Sequence, residues 1–182
     1  MSATITLPET GTWNIDLNHS VLSARIRHLV AAKVRGTFKT FSGSITIGES
    51  PETSSVVVSI DAASIDTGVP DRDNHLRSPD FLDVVTHPTI DFVSTAVRAQ
   101  GGTSYKVDGT LTIRDITKPA TLDMEYGGVV TDPWGNTKAV FSAETKINRE
   151  DWDMTWNQAL EAGGWLVGKT LDVEIEVEAG KA

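Results

Sequence analysis

The chain has 182 residues, a formal charge of −9 and a pI near 4.8. A nucleic-acid binder must neutralise phosphates with clustered Lys and Arg, so this balance argues against that class and against docking on an anionic leaflet, and it favours solubility. No stretch approaches the roughly 18 apolar residues that span a bilayer, and the lack of cysteine excludes disulfides, thiolate nucleophiles and thiolate-ligated zinc or iron.

The length suits one domain with its own core. Residues 1–11 carry no basic n-region and no apolar h-region, so they read as a tail rather than a secretory signal. A cytoplasmic location is the expectation for the chain as it stands.

Period-two alternation then dominates. Over residues 21–30 one face carries Leu22, Ala24, Ile26, His28 and Val30, opposite Ser23, Arg25 and Arg27. Near Phe38 and Phe41 the apolar parity switches, from Val34, Gly36 and Phe38 to Phe41, Gly43, Ile45 and Ile47, as a bulge or sharp bend would make it do. Val56, Val58 and Ile60 alternate next, and Ile90, Phe92, Ser94 and Ala96 share one parity. Tyr105, Val107, Gly109, Leu111 and Ile113 oppose Lys106, Asp108, Thr110, Thr112 and Arg114. Ala120, Leu122, Met124 and Tyr126 follow, then Ala139, Phe141, Ala143 and Ile147, and last Leu171, Val173, Ile175 and Val177 against Asp172, Glu174, Glu176 and Glu178. Strands with one wet face mark antiparallel sheet. About eight strands are predicted, the smallest number whose closed barrel can hold one small ligand.

Gly101-Gly102 signals a hairpin, and Asp132-Pro133-Trp134-Gly135-Asn136 a longer turn. Two segments break the alternation. Residues 71–83 read as one or two short helical turns, and residues 153–162 as a second short helix before Gly163-Gly164. The fold class is therefore all-β: an antiparallel barrel with one or two short helices.

Such a barrel is either filled or hollow. Its inward faces mix Ala24, Gly109, Ala139 and Ala143 with Phe92, Tyr105, Met124 and Phe141. Small residues leave room, and Met and aromatic side chains suit an apolar guest. Large and small residues can equally interdigitate to fill the barrel, and composition alone favours that reading slightly.

Ordered motifs bear on the choice. Trp13-Asn14-Ile15-Asp16-Leu17-Asn18-His19-Ser20, Arg27-His28-Leu29 and Val34-Arg35-Gly36-Thr37-Phe38 resemble the opening of the YceI-like, polyisoprenoid-binding family. The resemblance continues through Ser64-Ile65-Asp66-Thr67-Gly68, Arg72-Asp73-Asn74-His75-Leu76-Arg77-Ser78-Pro79-Asp80-Phe81-Leu82-Asp83, and Val107-Asp108-Gly109-Thr110-Leu111-Thr112-Ile113-Arg114. It closes with Thr117-Lys118-Pro119, Ile147-Asn148-Arg149-Glu150-Asp151-Trp152 and Val167-Gly168-Lys169. It implies a domain over residues 12–178, with a short tail over 179–182. The implied fold is an extended, lipocalin-like antiparallel barrel, and the implied ligand a polyprenyl chain, an isoprenoid quinone or a similar amphiphile. Many members of that family are exported to the periplasm, which this chain's N-terminus does not suggest.

The expected lining is Ile26, His28, Phe38, Val58, Ile60, Phe92, Tyr105, Leu111, Ile113, Met124, Phe141 and Trp156. His28 shares parity with Leu22 and Ile26; it either bonds a ligand head or is an inward histidine satisfied by a neighbour. Arg72, His75 and Arg77 are candidates for the rim, receiving an anionic head, although Asp73 and His75 could instead tie a helical turn to the barrel. Trp152, Met154 and Trp156 form either a side wall or ordinary core.

Enzymatic signals are weak. His19, His28, His75 and His87 lack the i, i+4 spacing of a helical zinc site, and neither a Gly-x-Ser-x-Gly elbow nor a dinucleotide fingerprint occurs. The expectation is non-enzymatic binding or carriage of a long lipid, with no catalytic residues, metal or obligatory cofactor beyond a bound isoprenoid lipid or quinone. A filled barrel serving protein interaction or stress response is the alternative, and a hydrolase acting on a lipid-like substrate ranks lower. Edge strands offer a surface for a homodimer.

Overall fold

The computed structural model describes residues 7–182. Alternation resolves into eleven strands and one α-helix: β1 (Gly11–Ile15), β2 (Val21–His28), β3 (Ala32–Phe38), β4 (Phe41–Ile47), β5 (Ser55–Asp61), β6 (Ile65–Asp66), α1 (Pro70–Arg77), β7 (Thr89–Gly101), β8 (Ser104–Ile113), β9 (Ile116–Thr131), β10 (Thr137–Asn148) and β11 (Val167–Lys181). All pairings are antiparallel. Eight strands, β1-β4-β5-β7-β8-β9-β10-β11, close on themselves as a barrel through the β1–β11 pairing.

The long β11 makes closure possible. It pairs with β10 from Thr170 to Gly180, while its other edge serves β2 over its first half and β1 at its end, where Trp13 opposes Lys181. Residues 179–182, expected as a tail, therefore complete the ring, and Ala182 N–H donates to Thr12 O at 2.8 Å. From β2 the sheet extends through β3 to β6, which widens the wall beside α1.

Turn chemistry fits the strand twist. Gly101 and Gly102 have φ of 107° and 58°, and Arg114 and Asp115 make a two-residue turn with φ of 53° and 59°. Both loops use the left-handed conformations that primed hairpin turns need. Asp132 Oδ1 accepts from Trp134 and Asn136 N–H, which fixes the turn between β9 and β10. The parity switch near Phe38 is a corner: β3 stops at Phe38 and β4 restarts at Phe41, so both sets point inward.

Two expectations need correction. The register of β7 shifts between Ser94 and Ala96, so Val97 rather than Ala96 is buried; Ser94 Oγ turns to accept from Val56 N–H at 2.8 Å. Residues 153–162 form no helix. A 3-10 turn at Arg149–Trp152 ends where Asp153 enters the left-handed region (φ 58°), and the chain beyond is irregular, with Ala159 bridging Trp165 around a turn at residues 161–162. Carbonyls of Met154 and Trp156 are spent on the Arg149 guanidinium instead of on helical N–H groups.

The core falls into clusters around the barrel axis. One end is solid: Trp13 and Ala139 are 1% and 0% exposed, and Tyr126 lies 5.3 Å from Phe141, ring to ring. Burial there pushes the Tyr126 hydroxyl up to about 12. No helix of the described residues is long and apolar enough to cross a membrane.

Candidate functional site: an apolar cavity with a cationic end

Inside the barrel lies a cavity of about 390 Å³, to which all eleven strands and α1 contribute. That volume falls in the usual range of about 300–1,000 Å³ for small-molecule sites. Nearly all of its wall is apolar; among the described residues the polar side chains that line it are His28, Thr67, Arg72, His75, Thr145 and Arg149.

Most of the expected lining meets there: Ile26, His28, Phe38, Val58, Ile60, Phe92, Leu111, Ile113, Met124, Phe141 and Trp156. Tyr105 does not. It packs beside Met124 and Val107 towards the filled end, so correct parity placed it inward but past the end of the cavity. The small inward residues also divide. Ala24 and Ala143 border the cavity, whereas Ala139 is fully packed and the space above Gly109 is taken by Phe92.

The polar end is built by α1 and the 3-10 turn after β10. Pro70 starts the helix with a preset φ, and Asp73, 6% exposed, accepts from both Thr67 N–H and Thr67 Oγ1, at 2.9 and 2.6 Å. This ties α1 to the end of β6. Arg72, His75 and Leu76, at i, i+3 and i+4, then share the face towards the cavity. Arg72 donates through Nε to Thr67 Oγ1 at 2.8 Å and through Nη2 to Thr67 O at 3.1 Å. Arg77 falls on another face and is not part of the wall. Its Nε and Nη2 donate to Ala63 O and Ile65 O, both at 2.7 Å, so it fastens the helix to the barrel.

His75 anchors an aromatic group. Its ring meets Phe81 edge-on at 5.1 Å and Trp156 at 4.6 Å, and its Nε2 bonds Asp80 Oδ2 at 2.8 Å. Trp156 and Met154 line the cavity. Trp152 is core, its Nε1 donating to Leu111 O at 3.1 Å.

Sequence reasoning missed Arg149 as a wall residue. At 2% exposed it is a buried cation, donating through Nε to Gly168 O at 2.8 Å and through Nη1 to Met154 O and Trp156 O. Desolvation lowers its pKa. Asn148 opens the turn by accepting from Glu150 N–H at 3.1 Å, which aims residue 149 inward. The only sequence signal was an arginine between inward-facing Ile147 and Trp152.

A closed, hollow antiparallel barrel with an apolar interior is a ligand-binding architecture. The chain matches the YceI-like domain over residues 13–179, and it belongs to that family. It is 37% identical to a UPF0312 protein of Pseudomonas putida over 164 residues, covering 90% of this chain and 82% of that one. A crystal structure of the Campylobacter jejuni YCEI protein is similar at a TM-score of 0.73 and 33% identity, over 86% of this chain and 90% of that one. A polyisoprenoid binding domain from Saccharophagus degradans shares the fold, at a TM-score of 0.69 and 13% identity, over 93% of this chain and 98% of that one.

Proposed function

We propose that the protein binds and carries a long amphiphilic lipid, a polyisoprenoid, isoprenoid quinone or similar molecule, without chemical turnover. One observation carries this reading: a cavity of about 390 Å³ remains open inside a barrel whose other end is filled. An interaction module needs no such space. Each methylene taken from water into the apolar wall contributes about 0.8 kcal/mol, so a long tail needs few polar contacts. Membership of the YceI-like family and the shared fold with a polyisoprenoid binding domain support the same ligand class.

Carriage fits better than hydrolysis because, among the described residues, the wall is built without Asp, Glu or Ser. Among the described residues its only hydroxyls are Thr67 and Thr145, and Thr67 Oγ1 already bonds Asp73 and Arg72. Native mass spectrometry of the purified chain, beside mass spectrometry of its organic extract, tests the proposal. A stoichiometric long-chain amphiphile is expected in both. A chain that is lipid-free as isolated, and that takes up no prenyl lipid after refolding with an excess, would sink it.

A further inference from the structure

Charge is unevenly spread along this acidic chain. It carries 25 Asp and Glu residues, yet residues 17–48 contain none, while five of its 16 Lys and Arg fall there: Arg25, Arg27, Lys33, Arg35 and Lys39. Three of these meet an acid from another segment, Arg25 and Arg35 at Glu174 and Lys39 at Asp66. Arg27 and Lys33 do not. They oppose each other across the β2–β3 ladder, both exposed, and among the described residues no carboxylate lies within ion-pairing distance of either.

Between them lies the tip of the hairpin, Leu29-Val30-Ala31. Leu29 and Val30 are more than half exposed, and both hold the left-handed conformation, with φ of 51° and 67°. That region is costly for a branched side chain and is ordinarily filled by Gly, Asn or Asp. The rest of the barrel follows this preference: among the described residues, every other non-glycine with positive φ is Asp or Arg. A turn selected for folding alone would carry Asn-Gly here. Strain kept at an exposed apolar tip points to a use outside the fold.

The tip has an apolar neighbour. Leu29 N–H donates to Leu166 O at 2.9 Å, and a Cβ added to Gly164 would stand 3.4 Å from Val30 Cγ2. Trp165, also more than half exposed, lies between these two contacts. Glu161 is the one acid of the adjoining 159–166 loop, which leaves the patch with a cationic excess. His28 and Leu166 border the cavity, so the patch continues the cavity wall outwards, at the end of the barrel away from Trp13 and Ala179.

We infer that this patch docks the protein on a bilayer that contains anionic lipid, with Leu29, Val30 and Trp165 entering the interface and Arg27 and Lys33 meeting lipid phosphates. Exposed aliphatic side chains, an indole and flanking Lys or Arg are what an interfacial anchor requires. The whole-chain charge of −9 opposes such docking only where charge is uniform. A leaflet's potential decays within a Debye length, so it acts on the cations beside it. A second copy of the chain fits less well, because a two-fold interface would set Arg27 and Lys33 against the same pair. Docking of this kind does not depend on what the cavity holds.

Sedimentation of the full chain with vesicles tests the surface, using phosphatidylcholine alone and an equimolar mixture of phosphatidylcholine and phosphatidylglycerol. Partitioning onto the mixed vesicles is expected to be about tenfold stronger, and to weaken with salt. Leu29→Asn combined with Val30→Gly gives the tip its preferred turn residues. This tip variant is expected to melt at or above the wild-type temperature while its vesicle binding falls about tenfold. Arg27→Gln combined with Lys33→Gln should remove the preference for the anionic vesicles. Brominated lipid in the mixed vesicles should quench tryptophan emission in wild type and in Trp134→Phe, and much less in Trp165→Phe. Trp134, strongly exposed in the turn between β9 and β10 at the filled end, is the control.

A wild-type chain that stays in the supernatant with both vesicles overturns the docking surface, as does a folded tip variant that binds like wild type. Equal partitioning onto the two vesicles overturns the anionic bilayer as partner. Quenching that depends on Trp134 instead moves the contact to the filled end and overturns the patch. A wild-type dimer that the tip variant loses, without vesicle binding, assigns the patch to a second copy and overturns the membrane. If the tip variant does not fold, the quenching of Trp165 decides.

Discussion

Phe92 lies across Gly109. A Cβ added to Gly109 would stand 2.5 Å from Phe92 Cζ and 2.5 Å from the carbonyl oxygen of Val93. The side chain could turn, but the backbone oxygen on the paired strand cannot move without breaking the β7–β8 ladder. Overpacking of this kind costs about 1–3 kcal/mol. Gly109→Ala is therefore expected to lower the melting temperature by several degrees. Phe92→Leu in the same chain should recover only part of the loss, because the contact with Val93 O persists. Thermal unfolding of the wild type and the two variants checks this, and an unchanged melting temperature for Gly109→Ala would refute the close approach.

Ala143 presents the opposite situation. It borders open space, pairing with Met124 on one side and Ile175 on the other. A Phe at this position enters the cavity rather than packed atoms, so Ala143→Phe is expected to fold with a lipid-free stability within about 1 kcal/mol of wild type. The same ring removes volume from a site of about 390 Å³. Lipid recovered per chain in an organic extract should fall at least severalfold. Full occupancy in the variant would mean that the tail does not pass Ala143.

Gly109 and Ala143 also mark what could be read from the sequence. Both have the parity that points inward, and parity is a local property of the pleat. Whether an inward small residue borders a void depends on its neighbour across the ladder, which the linear pattern does not state. Tyr105 is the same lesson at larger scale: alternation placed it inside, but the end of the cavity depends on how Trp13, Tyr126 and Ala139 close the barrel. Ala96 was misplaced because one bulge reverses every later position. On α1 the helical period separated Arg72 and His75 from Arg77, a distinction available in principle from spacing alone. Arg149 was hidden because its role comes from burial without a carboxylate, and a chain rich in carboxylates gives no hint of that.

Trp152 links the 3-10 turn to the barrel wall. It is 2% exposed, and its indole N–H reaches Leu111 O on β8 at 3.1 Å. Trp152→Phe loses that hydrogen bond and some packing, for an expected cost of about 1–2 kcal/mol. Trp152→Ala opens a cavity and should cost about 3–5 kcal/mol. Since the turn also carries Arg149, the Ala variant is expected to lose lipid as well as stability, whereas the Phe variant keeps its lipid. Denaturant unfolding alongside lipid extraction separates the two effects. Retention of lipid by a folded Trp152→Ala would show that the turn does not position the cationic end.

The seam of the barrel gives the pH dependence. Asp16, just after β1, accepts from Lys138 Nζ on β10 at 2.8 Å and touches His19 Nδ1 at 3.0 Å. The Lys138 hydrogen bond, followed by that of His19, holds the Asp16 carboxyl down to about 2. An unfolded Asp titrates near 3.9. With the folded value the lower one, the unfolded chain binds the proton first, so this pair's contribution is fully present above about pH 4 and is lost as pH falls towards 2. Both side chains are roughly one-fifth exposed, 19% for Asp16 and 18% for Lys138, so solvent screening trims the contribution to about 1 kcal/mol. Asp16→Asn should therefore be less stable than wild type by about that amount at pH 7, and the two unfolding curves should converge near pH 2. A gap that stays constant across this range would mean that the ionised carboxylate contributes nothing to holding the β1–β11 seam closed.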